Sequence, residues 1–171
     1  MSSLQLSLIR HAEAGSPVDP ARGDHDRRLK PKGEEDALAM ARFLGALSFD
    51  PGLVCTSTAR RAQATVGILA KTLEWPDEIL TAHDHLYLAE PFDLLRTVHE
   101  TDDDVHHLAL VGHNPGLEIF WGWLCGRQVP GVSTCGVVMM SLGVKTWRDV
   151  DQGSAELIDF LSPGILAERT S

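Results

Sequence analysis

Two apolar runs of similar length end in the same residue type. Leu4-Gln5-Leu6-Ser7-Leu8-Ile9 runs into Arg10-His11, and Leu108-Ala109-Leu110-Val111-Gly112 runs into His113. Short apolar runs bounded by turn signals read as buried strands, and Ala12-Glu13-Ala14-Gly15-Ser16-Pro17 supplies the turn after the first. In an open α/β sheet such strand ends form the rim where ligands bind. A guanidinium and two imidazoles at that rim point to an anion, phosphate above all.

The segments between these runs follow an alternating order. Pro31 to Ser48 carries Ala37, Leu38, Ala41, Leu44 and Leu47 at helical spacing, with Glu34, Glu35 and Asp36 near its start. Leu53-Val54-Cys55-Thr56 reads as a buried strand, and Ala59, Ala62, Val66, Leu69 and Leu73 mark a second helix. Ile79 to Leu88 is ambiguous between strand and loop. Phe92, Leu95, Arg96 and Val98-His99 predict a third helix, closed by Asp102-Asp103-Asp104. Asn114-Pro115 reads as N-cap and first position of a helix to about Cys125, with Gly126 ending it. Cys135 to Leu142 and Ala155 to Leu161 read as late strands. The order predicts an α/β fold with a mostly parallel sheet, its last strands free to run antiparallel. At 171 residues and 43% hydrophobic, the chain fits a single domain over residues 1–171.

Charge narrows the function. The formal net charge of −9 repels polyphosphate at long range, so neither nucleic acid nor an anionic membrane surface is an expected partner. Any phosphate site must therefore be a local cluster of arginines. No apolar stretch reaches membrane-span length and no signal-peptide profile opens the chain, so a soluble, cytoplasmic protein is expected, and a monomer is the expected assembly. The 3 cysteines, Cys55, Cys125 and Cys135, lack metal-ligand spacing and read as reduced core thiols. Among the 8 histidines no pair has the spacing of a zincin helix, so neither metal nor cofactor is expected.

Arg60-Arg61 sharpen the reading. If Ser57 caps the second helix, both arginines lie in its first turn, where the macrodipole disfavours a cation by roughly 0.3–1 kcal/mol. The placement makes sense if an anion binds there, held by helix amides and a guanidinium fork, with the Ser57 hydroxyl as a further donor. Arg10 and Arg61 beside His11 would lower its pKa by like-charge repulsion, leaving the neutral imidazole that attack on phosphorus needs.

Three motifs carry a resemblance to a known family. They are Leu8-Ile9-Arg10-His11-Ala12-Glu13-Ala14, Ser57-Thr58-Ala59-Arg60-Arg61-Ala62-Gln63-Ala64-Thr65 and Val111-Gly112-His113-Asn114-Pro115-Gly116. In this order they resemble the histidine phosphatase superfamily, and most closely its short SixA-type phosphohistidine phosphatases. The likeness extends through Asp24-His25-Asp26-Arg27-Arg28-Leu29 to Gly33 and Ala37, and to Ser133-Thr134. It implies a phosphoglycerate mutase-like, three-layer α/β/α domain. It also implies that His11 is the phosphorylated nucleophile, Arg10 and Arg61 clamp phosphate, and His113 is the second pocket histidine, with Ser57 and Arg27 as further phosphate-binding candidates. Arg61 matches better than Arg60, because the family spacing runs Ser, three variable residues, Arg, then Thr four residues on. Ala12 replaces the usual Gly after the histidine, and Ala64 replaces a common Gln.

The implied reaction is a metal-independent double displacement. His11 takes the phosphoryl group and water then hydrolyses the phosphohistidine enzyme. Glu90, Asp24 and Asp26 are the candidate general acids. A phosphoramidate such as phosphohistidine asks less of an acid than an alkoxide ester does, which favours a phosphohistidine-bearing protein as partner. The alternatives are a phosphatase for small phosphorylated metabolites, or a phosphate-binding module without turnover.

Overall fold

The computed structural model describes residues 3–169; its elements follow the alternation above, the ambiguous stretch after Ile79 forms a short strand, and a C-terminal helix is added that the sequence reading did not include. Its strands are β1 (Gln5–Arg10), β2 (Leu53–Ser57), β3 (Leu80–His83), β4 (His107–Gly112), β5 (Val137–Leu142) and β6 (Ala155–Leu161). Its helices are α1 (Pro31–Ala46), α2 (Arg60–Leu73), α3 (Pro91–His99), α4 (Gly116–Cys125) and α5 (Pro163–Arg169). The strands form one sheet in the order β3-β2-β4-β1-β5-β6. β3, β2, β4 and β1 pair in parallel, β5 runs antiparallel to β1, and β6 pairs antiparallel with β5. Only β5 is therefore reversed.

Each face of the sheet carries its own core. Leu6, Leu8, Leu108 and Leu110 face α4 residues such as Phe120 and Trp121. Ile9, Ala109 and Val111 point the other way, to Met40, Leu44 and Leu69 of α1 and α2 and to Leu166 of α5. This is a three-layer α/β/α domain. Because neighbouring side chains on a strand alternate faces, Leu8 and Ile9 commit β1 to one register.

Where β1 and β4 lie side by side, the chain leaves β1 for the α1 face and leaves β4 for the α4 face. That divergence is a topological switch point, which opens a crevice at the carboxyl ends of both strands. His11 and His113 are the residues that immediately follow those ends.

Several local expectations are corrected. α2 begins at Arg60 with Ala59 as N-cap, not Ser57, although both arginines do fall in its first turn. The Ser57 hydroxyl is instead taken up by the Ala59 N–H and by His113. α4 starts one residue later than expected, at Gly116 with Pro115 as its N-cap, and ends as expected at the left-handed Gly126. α1 stops at Ala46, because Ser48 turns left-handed. Cys55 and Cys135 are buried thiols, whereas Cys125 is half-buried. Among the described residues no helix is long and apolar enough to cross a membrane.

Candidate active site

His11 and His113 meet across the crevice with ring centroids 5.1 Å apart. Backbone bonds hold the nucleophile candidate: the His11 N–H donates to the Gly112 carbonyl, and the Cys135 N–H donates to the His11 carbonyl. The tautomers follow from their partners. His11 Nδ1–H donates to the Ala12 carbonyl at 2.8 Å, leaving Nε2 as the lone-pair nitrogen. His113 has the opposite form, because Arg61 Nη2 donates to its Nδ1 (3.3 Å) while Nε2–H donates to Ser57 Oγ (2.8 Å).

Arg61 joins the two rings. Its Nε donates to His11 Nε2 at 3.2 Å, so one guanidinium faces the lone-pair nitrogens of both imidazoles. Arg61 is only 2% exposed and His11 and His113 are 7% and 4% exposed. A rigid, buried fork of this kind can hold two phosphoryl oxygens with little loss of freedom. Arg10 completes the wall, donating through Nη1 to the Val132 carbonyl at 2.9 Å. Its Nε is buried without a hydrogen-bond partner, a costly state for a donor unless an anion takes it.

Burial, more than neighbouring charge, sets the protonation of this pocket. It lowers the His11 pKa to about 4, with the Arg61, Arg10 and Arg27 charges adding to the effect. His113 falls to about 3, again from burial first and then from Arg61 and His11. The expected repulsion by arginines is present but secondary. Both rings are neutral at pH 7, as a nitrogen nucleophile requires.

The polar segment after β1 folds back over α2. Asp24 accepts from Arg61 twice, through its backbone carbonyl (2.7 Å) and its Oδ2 (2.9 Å). Arg27 Nη1 and the Tyr87 hydroxyl complete its carboxylate shell at 3.0 and 2.7 Å. Partial burial pushes the Asp24 pKa up, but the hydrogen bonds from Tyr87, Arg27 and Arg61 outweigh it and hold the carboxylate well below its usual range. It also offsets the cation placed at the start of α2. Arg27 braces the loop itself, donating through Nε to the Gly15 carbonyl and through Nη2 to the Ala14 carbonyl.

The remaining candidates lie farther out. Asp26 pairs with Arg60 at 3.2 Å, so Arg60 ties the loop to α2. Glu90 is the N-cap of α3 and forms a capping box with Asp93. Its backbone packs against the start of α4, where a Cβ on Gly116 would lie 3.8 Å from Glu90 Cα. Among the described residues no group of three or more His, Cys, Asp or Glu is gathered as a metal site would need.

Two contributors are not apparent from strand-end positions. Tyr87 bonds Asp24 and sets its ring edge-on to His113 at 5.6 Å. Thr65 accepts the Ala12 N–H at 2.9 Å and donates to the Arg61 carbonyl at 2.8 Å. The Thr65 spacing from Arg61 is visible in the sequence, whereas its bond to Ala12 is a product of the fold.

Comparison with known proteins gives a consistent picture. The histidine phosphatase superfamily (branch 1) matches residues 6–85. An uncharacterized protein of Mycobacterium tuberculosis is 30% identical over 166 residues, which cover 91% of this chain and 99% of that one. A crystal structure from Agrobacterium tumefaciens, provisionally assigned as the phosphohistidine phosphatase SixA, has a TM-score of 0.81 at 25% identity, covering 95% of this chain and 100% of that one. The protein histidine phosphatase SixA complexed with tungstate shares the fold, with a TM-score of 0.80 at 22% identity over 95% of this chain and 99% of that one.

Proposed function

The chain belongs to the histidine phosphatase superfamily, and we propose that it dephosphorylates phosphohistidine in a protein through a phosphohistidine intermediate on His11. One observation carries this reading. A single buried guanidinium, Arg61, faces His11 Nε2 and His113 Nδ1 together, so a phosphoryl group drawn to Arg61 meets a neutral nitrogen nucleophile.

In the first step His11 Nε2 attacks phosphorus as the bond to the leaving group breaks. Arg61 and Arg10 hold the equatorial oxygens, where charge spreads in a loose transition state. The Ala12 carbonyl keeps the Nδ1 proton in place and stabilises the positive charge that develops on the ring. Water then attacks the phosphohistidine in line and releases phosphate. Three observations support a phosphoramidate substrate: Asp24 is held as an acceptor, Asp26 is paired with Arg60, and Glu90 caps α3.

The test is turnover of a phosphohistidine peptide, p-nitrophenyl phosphate and a sugar phosphate, with an alkaline quench and intact-mass detection of a phosphoenzyme. The expected result is fastest turnover of the peptide and a phosphoenzyme that His11→Ala abolishes. Hydrolysis that survives His11→Ala removes the covalent mechanism. Preference for the sugar phosphate makes the protein a small-molecule phosphatase instead, and phosphate binding without turnover makes it a binding module.

A further inference from the structure

Asp24 stands among the cations of the pocket, yet the steps above give its carboxylate no task. Oδ2 accepts from Arg61 and Tyr87, while Oδ1 accepts from Arg27 at 3.0 Å. With three donors around it, the group is an acceptor and not a proton source. Its side chain is 43% exposed and faces an open cavity of about 470 Å³ lined by Gly15, Ser16, Pro17, Arg27 and Lys30. A carboxylate oxygen has two acceptor sites, so Oδ1 can take a further donor from the cavity side.

A fixed anion beside a phosphate pocket is a liability for a substrate that brings only negative charge. It becomes an advantage if the leaving group brings a proton and a positive charge, since a built-in repulsion then discriminates between substrates. Arg61 links Asp24 to the proposed nucleophile, with Nε on His11 Nε2 and Nη2 on Asp24 Oδ2. The nucleophile and the carboxylate thus flank one guanidinium.

We propose that Asp24 determines leaving-group specificity: its carboxylate accepts the ring N–H of a phosphorylated imidazolium and so selects phosphohistidine over phosphate esters. This rests on the function proposed above. As His11 Nε2 forms its bond to phosphorus, the substrate's P–N bond breaks and its electron pair passes to the leaving nitrogen. The other ring nitrogen keeps its proton on Asp24, so a neutral imidazole departs and no acid is consumed. An alkoxide needs a proton that Asp24 does not carry.

The decisive comparison uses phosphoimidazole and its N-methyl analogue, which is cationic but has no N–H to donate. Relative to the uncatalysed rates, methylation should lower wild-type kcat/KM about tenfold or more, the scale of one charge-assisted hydrogen bond. Asp24→Asn should remove most of that difference and lower the preference for phosphoimidazole over p-nitrophenyl phosphate by a similar factor. Equal turnover of the two imidazoles by the wild type overturns the inference without any variant, as does an unchanged preference in Asp24→Asn. If turnover and the phosphoenzyme are missing for every substrate, the proposed function falls as well.

Discussion

Thr65 Oγ1 accepts the N–H of Ala12 at 2.9 Å while its own proton goes to the carbonyl of Arg61 at 2.8 Å. One hydroxyl thereby joins the helix that carries Arg61 to the residue whose carbonyl sets the His11 tautomer. Thr65→Val keeps the shape but leaves the Ala12 N–H buried without a partner, at a cost of about 1–3 kcal/mol. Urea denaturation should show that loss. Steady-state kinetics should show a fall in kcat of about tenfold or more with a smaller change in KM, because the proposed nucleophile His11 is misaligned more than the Arg61 guanidinium is. Thr65→Ser should recover most of the rate, and a rate loss equal in both variants would argue against alignment.

Arg61 should be irreplaceable by lysine. Its Nε donates to His11 while Nη1 and Nη2 donate to two different oxygens of Asp24, and an ammonium cannot reproduce that planar fork. Titration calorimetry with inorganic phosphate is expected to show at least a tenfold loss of affinity for both Arg61→Lys and Arg61→Ala. Near-normal binding by Arg61→Lys would reduce the guanidinium to a point charge.

Acid should affect rate and stability over different ranges. With the His11 pKa near 4, the acid limb of kcat/KM set by this ring should lie below pH 5, well under the usual imidazole value of about 6.5. Stability responds earlier. Below about pH 6.5 the unfolded chain protonates both histidines while the folded pocket keeps them neutral, so the unfolded state binds more protons and stability falls with pH. For these two groups the loss begins near 6.5 and continues down to about 4 for His11 and about 3 for His113. Thermal melts from pH 7 to 5 should show a decline that His113→Asn reduces, and 15N NMR should find His11 neutral at pH 5.5.

The features legible in the sequence share a physical basis. β1, β2 and β4 are buried on both faces over most of their length and so read as largely apolar runs. β3 borders only β2, with half-buried or exposed residues throughout, and leaves no such run. The 7-residue α5 is too short to show a period. Likewise His11 and His113 are visible because strand ends locate them, and Arg61 because a cation at a helix start demands an anion. The roles of Asp24 and Tyr87 depend on how the loop after β1 folds across α2 and meets the segment after β3. Those contacts join residues 37 and 63 positions apart, a distance over which no local periodicity reports.

Gly116 is expected to be as restrictive as any polar residue of the site. A Cβ there would overlap the Ala89 carbonyl oxygen, and neither backbone can yield without moving the turn that follows His113. Gly116→Ala should therefore destabilise the protein by about 1–3 kcal/mol, as overpacking against a fixed neighbour does. It should also lower activity by displacing His113, three residues upstream. Gly67 provides the control, because it lies inside α2 and a Cβ on it meets nothing within 4 Å. Gly67→Ala should stabilise by about 0.5–1 kcal/mol through helix propensity alone and leave kinetics unaltered. Urea denaturation of both variants separates the two cases. If Gly116→Ala behaves like Gly67→Ala, the close approach of the α3 and α4 entrances does not constrain the pocket.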